Sequence, residues 1–153
     1  MTLDSDFMRE ALVEAQKAYG LDEVPIGAVV VKNGEVIGRG HNLRESQKDP
    51  TLHAEMVAIR QAAAALGGWR LTGCDLYVTI EPCPMCAGAI LQARISRLFF
   101  GARDPKAGCA GSLYNLLEDS RFNHQTEVQE GMMKEPCSQI IKAYFQQKRN
   151  RFV

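Results

Sequence analysis

The sequence has no formal charge: 18 Lys and Arg offset 18 Asp and Glu over 153 residues. A global basic field that would gather nucleic acid is therefore excluded, and any such surface has to be local. Long apolar runs are missing too. Although 46% of the chain is hydrophobic, no stretch approaches the roughly 18 residues of a membrane span, so no membrane partner is expected. There is no internal repeat, low-complexity segment or linker, and one domain covering residues 1–153 is the expectation. A second Cys-x-x-Cys pair is also absent, which removes a zinc ribbon. The cysteines number five, an odd count. Asp4, Asp6 and Glu10 stand where a secretory leader would be basic and then apolar. Free thiols in a reducing cytoplasm are the natural reading.

What is present alternates between helix and strand. Phe7, Met8, Ala11, Leu12, Ala15 and Ala18 recur at helical spacing and predict an amphipathic helix over 4–19, with Asp4, Ser5 and Asp6 as cap candidates. Residues 26–31 read as a buried strand. Asn33-Gly34 predicts a hairpin turn into a returning strand over 35–41, whose Gly38 and Gly40 suggest an edge. A polar loop over 42–51 follows, and Thr51 is expected to cap a helix running from Leu52 to Leu66. Residues 76–80 predict a strand broken by Glu81-Pro82, after which Cys83 opens a helix to about Ala93, with Pro84 suited to an early helical position. A strand over 95–100, a turn-rich loop over 101–112, a short helix over 112–117, a strand over 126–129 and a last helix over 135–149 complete the chain. The order predicts an α/β fold: a three-layer α-β-α sandwich on a mixed five-stranded sheet.

Two short motifs carry chemistry. One is His53-Ala54-Glu55 and the other is Pro82-Cys83-Pro84-Met85-Cys86. One imidazole and two thiolates supply three ligands to a tetrahedral Zn²⁺ ion and leave a fourth position for water. Glu55, two residues after the histidine, remains free to move protons on that water. H-x-E followed by P-C-x-x-C is the signature of zinc nucleobase deaminases. Both pieces fall at predicted helix N-termini, whose partial positive charge favours thiolate and carboxylate. Cys-x-x-Cys alone also fits a thiol oxidoreductase, but that reading leaves His53 and Glu55 unused. His41 and His124 are the other possible ligands, and Cys74, Cys109 and Cys137 read as small buried hydrophobes.

At these residues the sequence resembles the cytidine-deaminase-like superfamily, and within it the bacterial tRNA adenosine deaminases. The likeness extends through Pro25–Val29, Asp49-Pro50-Thr51, His53–Arg60, Leu76–Lys106, Ala110-Gly111-Ser112, Asn123-His124 and the last helix. It implies a homodimeric enzyme that converts adenosine to inosine at the wobble position of an arginine tRNA. Carried over by position, His53, Cys83 and Cys86 bind zinc and Glu55 shuttles protons. Asn42 and the backbone of Ala54 hydrogen-bond the base, and Ile26 walls the pocket. Asp104, Lys106, Phe145 and Arg149 contact the anticodon stem-loop. Cys109 departs from the family pattern, which usually has alanine there.

The C-terminus offers separate support for an RNA partner. Lys142, Lys148, Arg149 and Arg151 accompany Tyr144, Phe145 and Phe152, cations beside aromatics that suit splayed single-stranded bases. A solvated basic helix end is the plain alternative. The zinc motif does not choose between a tRNA deaminase and a free-base or nucleoside (guanine or cytosine) deaminase, which share it. A zinc-stabilised RNA-binding module that makes no use of Glu55 is the non-enzymatic alternative.

Overall fold

The computed structural model describes residues 4–151. Five strands form one sheet: β1 (Gly27–Lys32), β2 (Glu35–His41), β3 (Cys74–Ile80), β4 (Arg97–Ala102) and β5 (Glu127–Glu130). Their spatial order is β2-β1-β3-β4-β5. The first strand is antiparallel to both of its neighbours, while β3, β4 and β5 run parallel. The sheet is therefore mixed, as the sequence predicts. Helices α1 (Asp4–Gly20), α2 (Arg44–Gln47), α3 (Ala54–Leu66), α4 (Pro84–Ala93) and α5 (Lys134–Arg151) complete the chain.

Strand alternation sorts the sheet into two faces. Ala28, Val30, Leu76, Val78, Leu98 and Phe100 pack with Ala54, Ala58 and Ala62 of α3 and with Ala87 and Ile90 of α4. Val29, Val31, Tyr77 and Phe99 face the other way, onto Phe7, Met8 and Ala11 of α1 and Cys137 of α5. Helices on both faces give the three layers. Tyr77 and Phe99 stack with centroids 4.5 Å apart, and the Tyr77 hydroxyl donates to Asp4 Oδ1 at 2.8 Å.

Several predicted boundaries move, each for a physical reason. Thr51 does not cap α3: its hydroxyl and amide both donate to Asp49 Oδ1, at 2.7 and 2.8 Å, closing a turn around Pro50. The helix begins at Ala54, with His53 as an extended N-cap (φ −73°, ψ 158°). The 42–51 loop contains the short α2, which it owes to a carboxylate from elsewhere, Glu23. The expected helix over 112–117 is absent; the segment is held by turns and an Ala110–Asn115 bridge. The fourth strand starts two residues late because Ile95 is occupied at the end of α4, where its amide donates to Ile90. Phe152 lies outside the described residues.

Strand β2 is an edge, as predicted, but its glycines do more than loosen it. A Cβ on Gly38 would overlap the Ala58 carbonyl, and one on Gly40 would overlap the carbonyl of Ala54. Their absence lets α3 lie directly against the strand. That close approach fixes the N-terminus of α3, and with it His53 and Glu55.

Candidate active site

His53 and Cys83 are the N-caps of α3 and α4, and both have extended backbones. Two helix N-termini converge on one point and bring positive partial charge to it. The two cap side chains are turned toward each other. Pro84 follows at the first position of α4, where its missing amide costs nothing. Cys86, one turn on, is fully buried.

His53 Nδ1 lies 3.5 Å from Cys83 Sγ and 3.6 Å from Cys86 Sγ. All three donor atoms fall within 4.8 Å of one another, the one such group among the described residues. A tetrahedral zinc with Zn–S of about 2.3 Å and Zn–N of about 2.05 Å places sulfur and nitrogen roughly 3.6 Å apart. The observed separations match that value, so the three donor atoms could hold a metal ion.

A hydrogen bond from Cys86 and another from His53 hold the Cys83 thiol down at about 4. The bond to Cys83 and burial push Cys86 up, and the bond to Cys83 raises His53. Both thiols give up their protons when such a group binds a metal ion.

Glu55 is 4% exposed, and burial pushes its carboxyl up to about 7. It lines a cavity of about 80 Å³ with His53, Ala54, Asn42, Ile26, Val24 and Arg44. The structure therefore brings Glu55, Asn42, Ala54 and Ile26 to one place beside the sulfurs. Asn42 is buried at the end of β2; its amide donates to the Ile26 carbonyl at 3.3 Å, and its Oδ1 accepts from Arg44 N at 3.4 Å.

A second cavity of about 440 Å³ shares Val24 and Ile26 with the first. Pro105, Ile80, Ile141 and Phe145 form its apolar wall, with Asp104, Lys106 and Arg103 at its polar side. Of the residues inferred for RNA contact, Asp104, Lys106 and Phe145 thus sit together. Arg149 does not line either cavity; its guanidinium donates to Gln146 Oε1 at 2.8 Å. The rest of the C-terminal cluster is divided. Tyr144 is buried and its hydroxyl donates to the Asp22 carbonyl at 3.0 Å. Arg151 and Lys148 reach the Asp22 carboxylate at 3.2 and 3.8 Å.

The other histidines are used elsewhere. His41 Nδ1 pairs with Glu14 Oε1 at 2.9 Å, and His124 Nε2 meets the Ile95 carbonyl at 2.8 Å. Cys74, Cys109 and Cys137 are buried, and all five cysteines are free. Among the described residues no helix is long and apolar enough to cross a membrane.

Sequence reasoning missed two buried carboxylates that build the walls. Glu23, with no exposed surface, accepts from Ser46 N at 2.6 Å, Ser46 Oγ at 2.7 Å and Glu45 N at 3.1 Å. It thereby caps α2, two residues after Asn42. Glu81 accepts from the amides of Asp104, Ala110 and Ser112 at 2.9–3.0 Å and from the Ser112 hydroxyl. The available signal was an acidic residue beside proline at a strand end, too common to single out.

Comparison with known proteins follows this geometry. The family model for MafB19-like deaminases matches residues 3–149. The tRNA-specific adenosine deaminase of Bacillus subtilis is 54% identical over 151 residues, which cover 99% of this chain and 94% of that one. The chain belongs to the tRNA-specific adenosine deaminase family. A solved structure from a study of A-to-I editing by tRNA:A34 deaminases at the wobble position superposes with a TM-score of 0.85. It is 48% identical and covers 89% of this chain and 99% of that one. A guanine deaminase from Bacillus subtilis shares 40% identity and a TM-score of 0.66, over 72% of this chain and 71% of that one. As a member of this family the chain is a deaminase on the cytidine-deaminase-like fold.

Proposed function

We propose that this chain is a zinc-dependent enzyme that deaminates adenosine to inosine at the wobble position of a tRNA, that of an arginine anticodon stem-loop by resemblance. It works as one domain over residues 1–153, in the cytoplasm and as a homodimer. The observation that carries the tRNA reading is the 54% identity, over 99% of this chain, to a tRNA-specific adenosine deaminase; the spacing of His53, Cys83 and Cys86 beside the buried Glu55 carboxylate supports the deaminase chemistry.

His53, Cys83 and Cys86 would hold the zinc ion, which would supply a Lewis acid able to bring the pKa of a water near 7. Glu55 is not a ligand in this scheme and keeps both oxygens for proton transfer. It accepts a proton as water oxygen adds to adenine C6, and delivers it to ring N1. It then carries the proton of the new C6 hydroxyl to the exocyclic amine; the C6–N bond breaks as the C6 carbonyl forms, ammonia leaves and inosine remains. A buried carboxyl with its pKa raised to about 7 suits a group that must both take and give protons near neutral pH. Asn42 and the Ala54 backbone orient the base, and Ile26 covers its face. Extruding the base from its stack brings C6 to this depth.

A free-base deaminase is the second reading, favoured by the guanine deaminase relative. Against it, the small cavity opens beside the larger trough lined by Phe145, Asp104 and Lys106. A lone base has no use for that trough, whereas neighbouring nucleotides do. The test is a substrate panel with direct detection of product: an anticodon stem-loop against free guanine, cytosine, cytidine and adenosine. Preference for the stem-loop is expected. Faster turnover of a free base would overturn the RNA reading.

A further inference from the structure

Glu81 sits between the two halves of the site. Its amide donates to Ala102 at 2.9 Å, fixing the ends of β3 and β4 side by side. Its carboxylate, 3% exposed, gathers Asp104, Ala110 and Ser112 from one loop. The loop closes so tightly that a Cβ on Gly108 would overlap the carboxylate itself. Cys109 N then donates to the Pro82 carbonyl at 2.9 Å, next to the ligand Cys83. The chain of bonds continues outward. Asp104 Oδ1 accepts from Lys106 N at 3.1 Å and from Ala107 N at 3.2 Å. Lys106 is therefore two links from Glu81, exposed, and on the rim of the 440 Å³ trough.

An ionised carboxylate has about four acceptor sites, and Glu81 fills them with donors from a single loop. The carboxylate draws on both ends of this nine-residue loop, from Asp104 to Ser112, and its own backbone lies two residues before a metal ligand. The geometry assigns Glu81 the role of a positioning residue for substrate: it holds the 104–112 loop in register with the Cys83 end of the site, so that Lys106 meets an RNA phosphate while the target base reaches Glu55. This rests on the RNA reading above and adds to it a residue that touches neither base nor metal.

The test uses a stem-loop already carrying inosine, which binds without turning over. Its affinity is measured against salt for the wild type, Lys106→Ala, Glu81→Gln, Ser112→Ala and the Glu81→Gln/Lys106→Ala pair. Loss of one phosphate contact lowers the slope of log K against log salt by about 0.7 and weakens binding roughly fivefold at 0.1 M. Glu81→Gln and Ser112→Ala are expected to reproduce most of the Lys106→Ala change, with metal content unaltered. The double variant should bind no more weakly than Lys106→Ala alone, because the two act through one contact. Ser112→Ala removes one donor and keeps the carboxylate, so the question remains answerable if Glu81→Gln folds poorly. A lowered melting temperature with an unchanged salt slope would overturn the role of Glu81 and leave the RNA reading standing. An unchanged slope in Lys106→Ala would overturn this inference at its outer end. Failure of the wild type to deaminate any stem-loop would instead strike the proposed function.

Discussion

Glu55 and Glu81 are both carboxylates buried to within 4% of complete, yet their environments drive them in opposite directions. Burial raises Glu55 to about 7. Burial also pushes Glu81 upward, but hydrogen bonds from Ser112, Asp104 and Ala110 outweigh it and the net shift is downward. The difference lies in what surrounds each group. Three amides and a hydroxyl of one loop point at Glu81, whereas Glu55 faces a cavity and the cysteine sulfurs with few donors. A carboxylate wrapped in donors is an anchor; one left short of them is a proton carrier. The same residue type thus builds the wall of the site in one place and serves its chemistry in another.

The comparison breaks most visibly on substitution. Glu55→Ala is expected to keep its metal and lower inosine formation by roughly 10²–10⁴-fold, the range of a lost general acid–base. Glu81→Ala is expected to act on stability, costing about 2–4 kcal/mol in chemical denaturation, because it orphans the buried Ala110 amide and the half-buried amides of Asp104 and Ser112. Glu55→Gln in the metal-free chain should cost little or nothing at pH 8, where the native carboxylate is charged and desolvated.

The pH dependence of stability sharpens the contrast. In the metal-free chain Glu55 holds its proton longer when folded than when unfolded. Its contribution is therefore full below about pH 4.5 and declines as pH rises toward 7. Glu81 releases its proton more readily when folded, so its contribution is full above pH 4.5 and is lost as pH falls through its lowered value. Denaturation curves of wild type, Glu55→Gln and Glu81→Gln across this range should show differences of opposite slope. Parallel curves would mean that the two carboxylates are equivalent.

Smaller effects probe the edges. Gly108→Ala should destabilise by about 1–3 kcal/mol as its Cβ pushes on the Glu81 carboxylate. Phe145→Ala, at a side chain 42% exposed on the trough, should leave stability nearly unchanged. Stem-loop binding should weaken roughly fivefold or more, the effect of losing one stacked base at about 1–3 kcal/mol.

Most of the architecture was legible from periodicity, and the metal motif from spacing, because both are local. His53 and the Cys83/Cys86 pair announce themselves by sequence separation and by their place at helix starts. Glu23 and Glu81 do not, because their partners lie 22–31 residues away in loops without pattern. The start of α3 was misplaced for a related reason. Thr51 looks like a cap, but the turn at Asp49-Pro50 claims its hydroxyl and His53 takes the cap position. The C-terminal basic–aromatic cluster read as one surface. Its Tyr144 proves to be core, and two of its cations are tied to a turn 122 or more residues earlier.

The most direct measurement pairs product and metal on the same preparations of wild type and Glu55→Ala: inosine formed in an anticodon stem-loop, and zinc per chain. The expected result is one zinc in each protein, with inosine from the wild type alone. Inosine from Glu55→Ala at a rate near that of the wild type, or turnover by a wild type stripped of metal, would contradict the assignment of this centre.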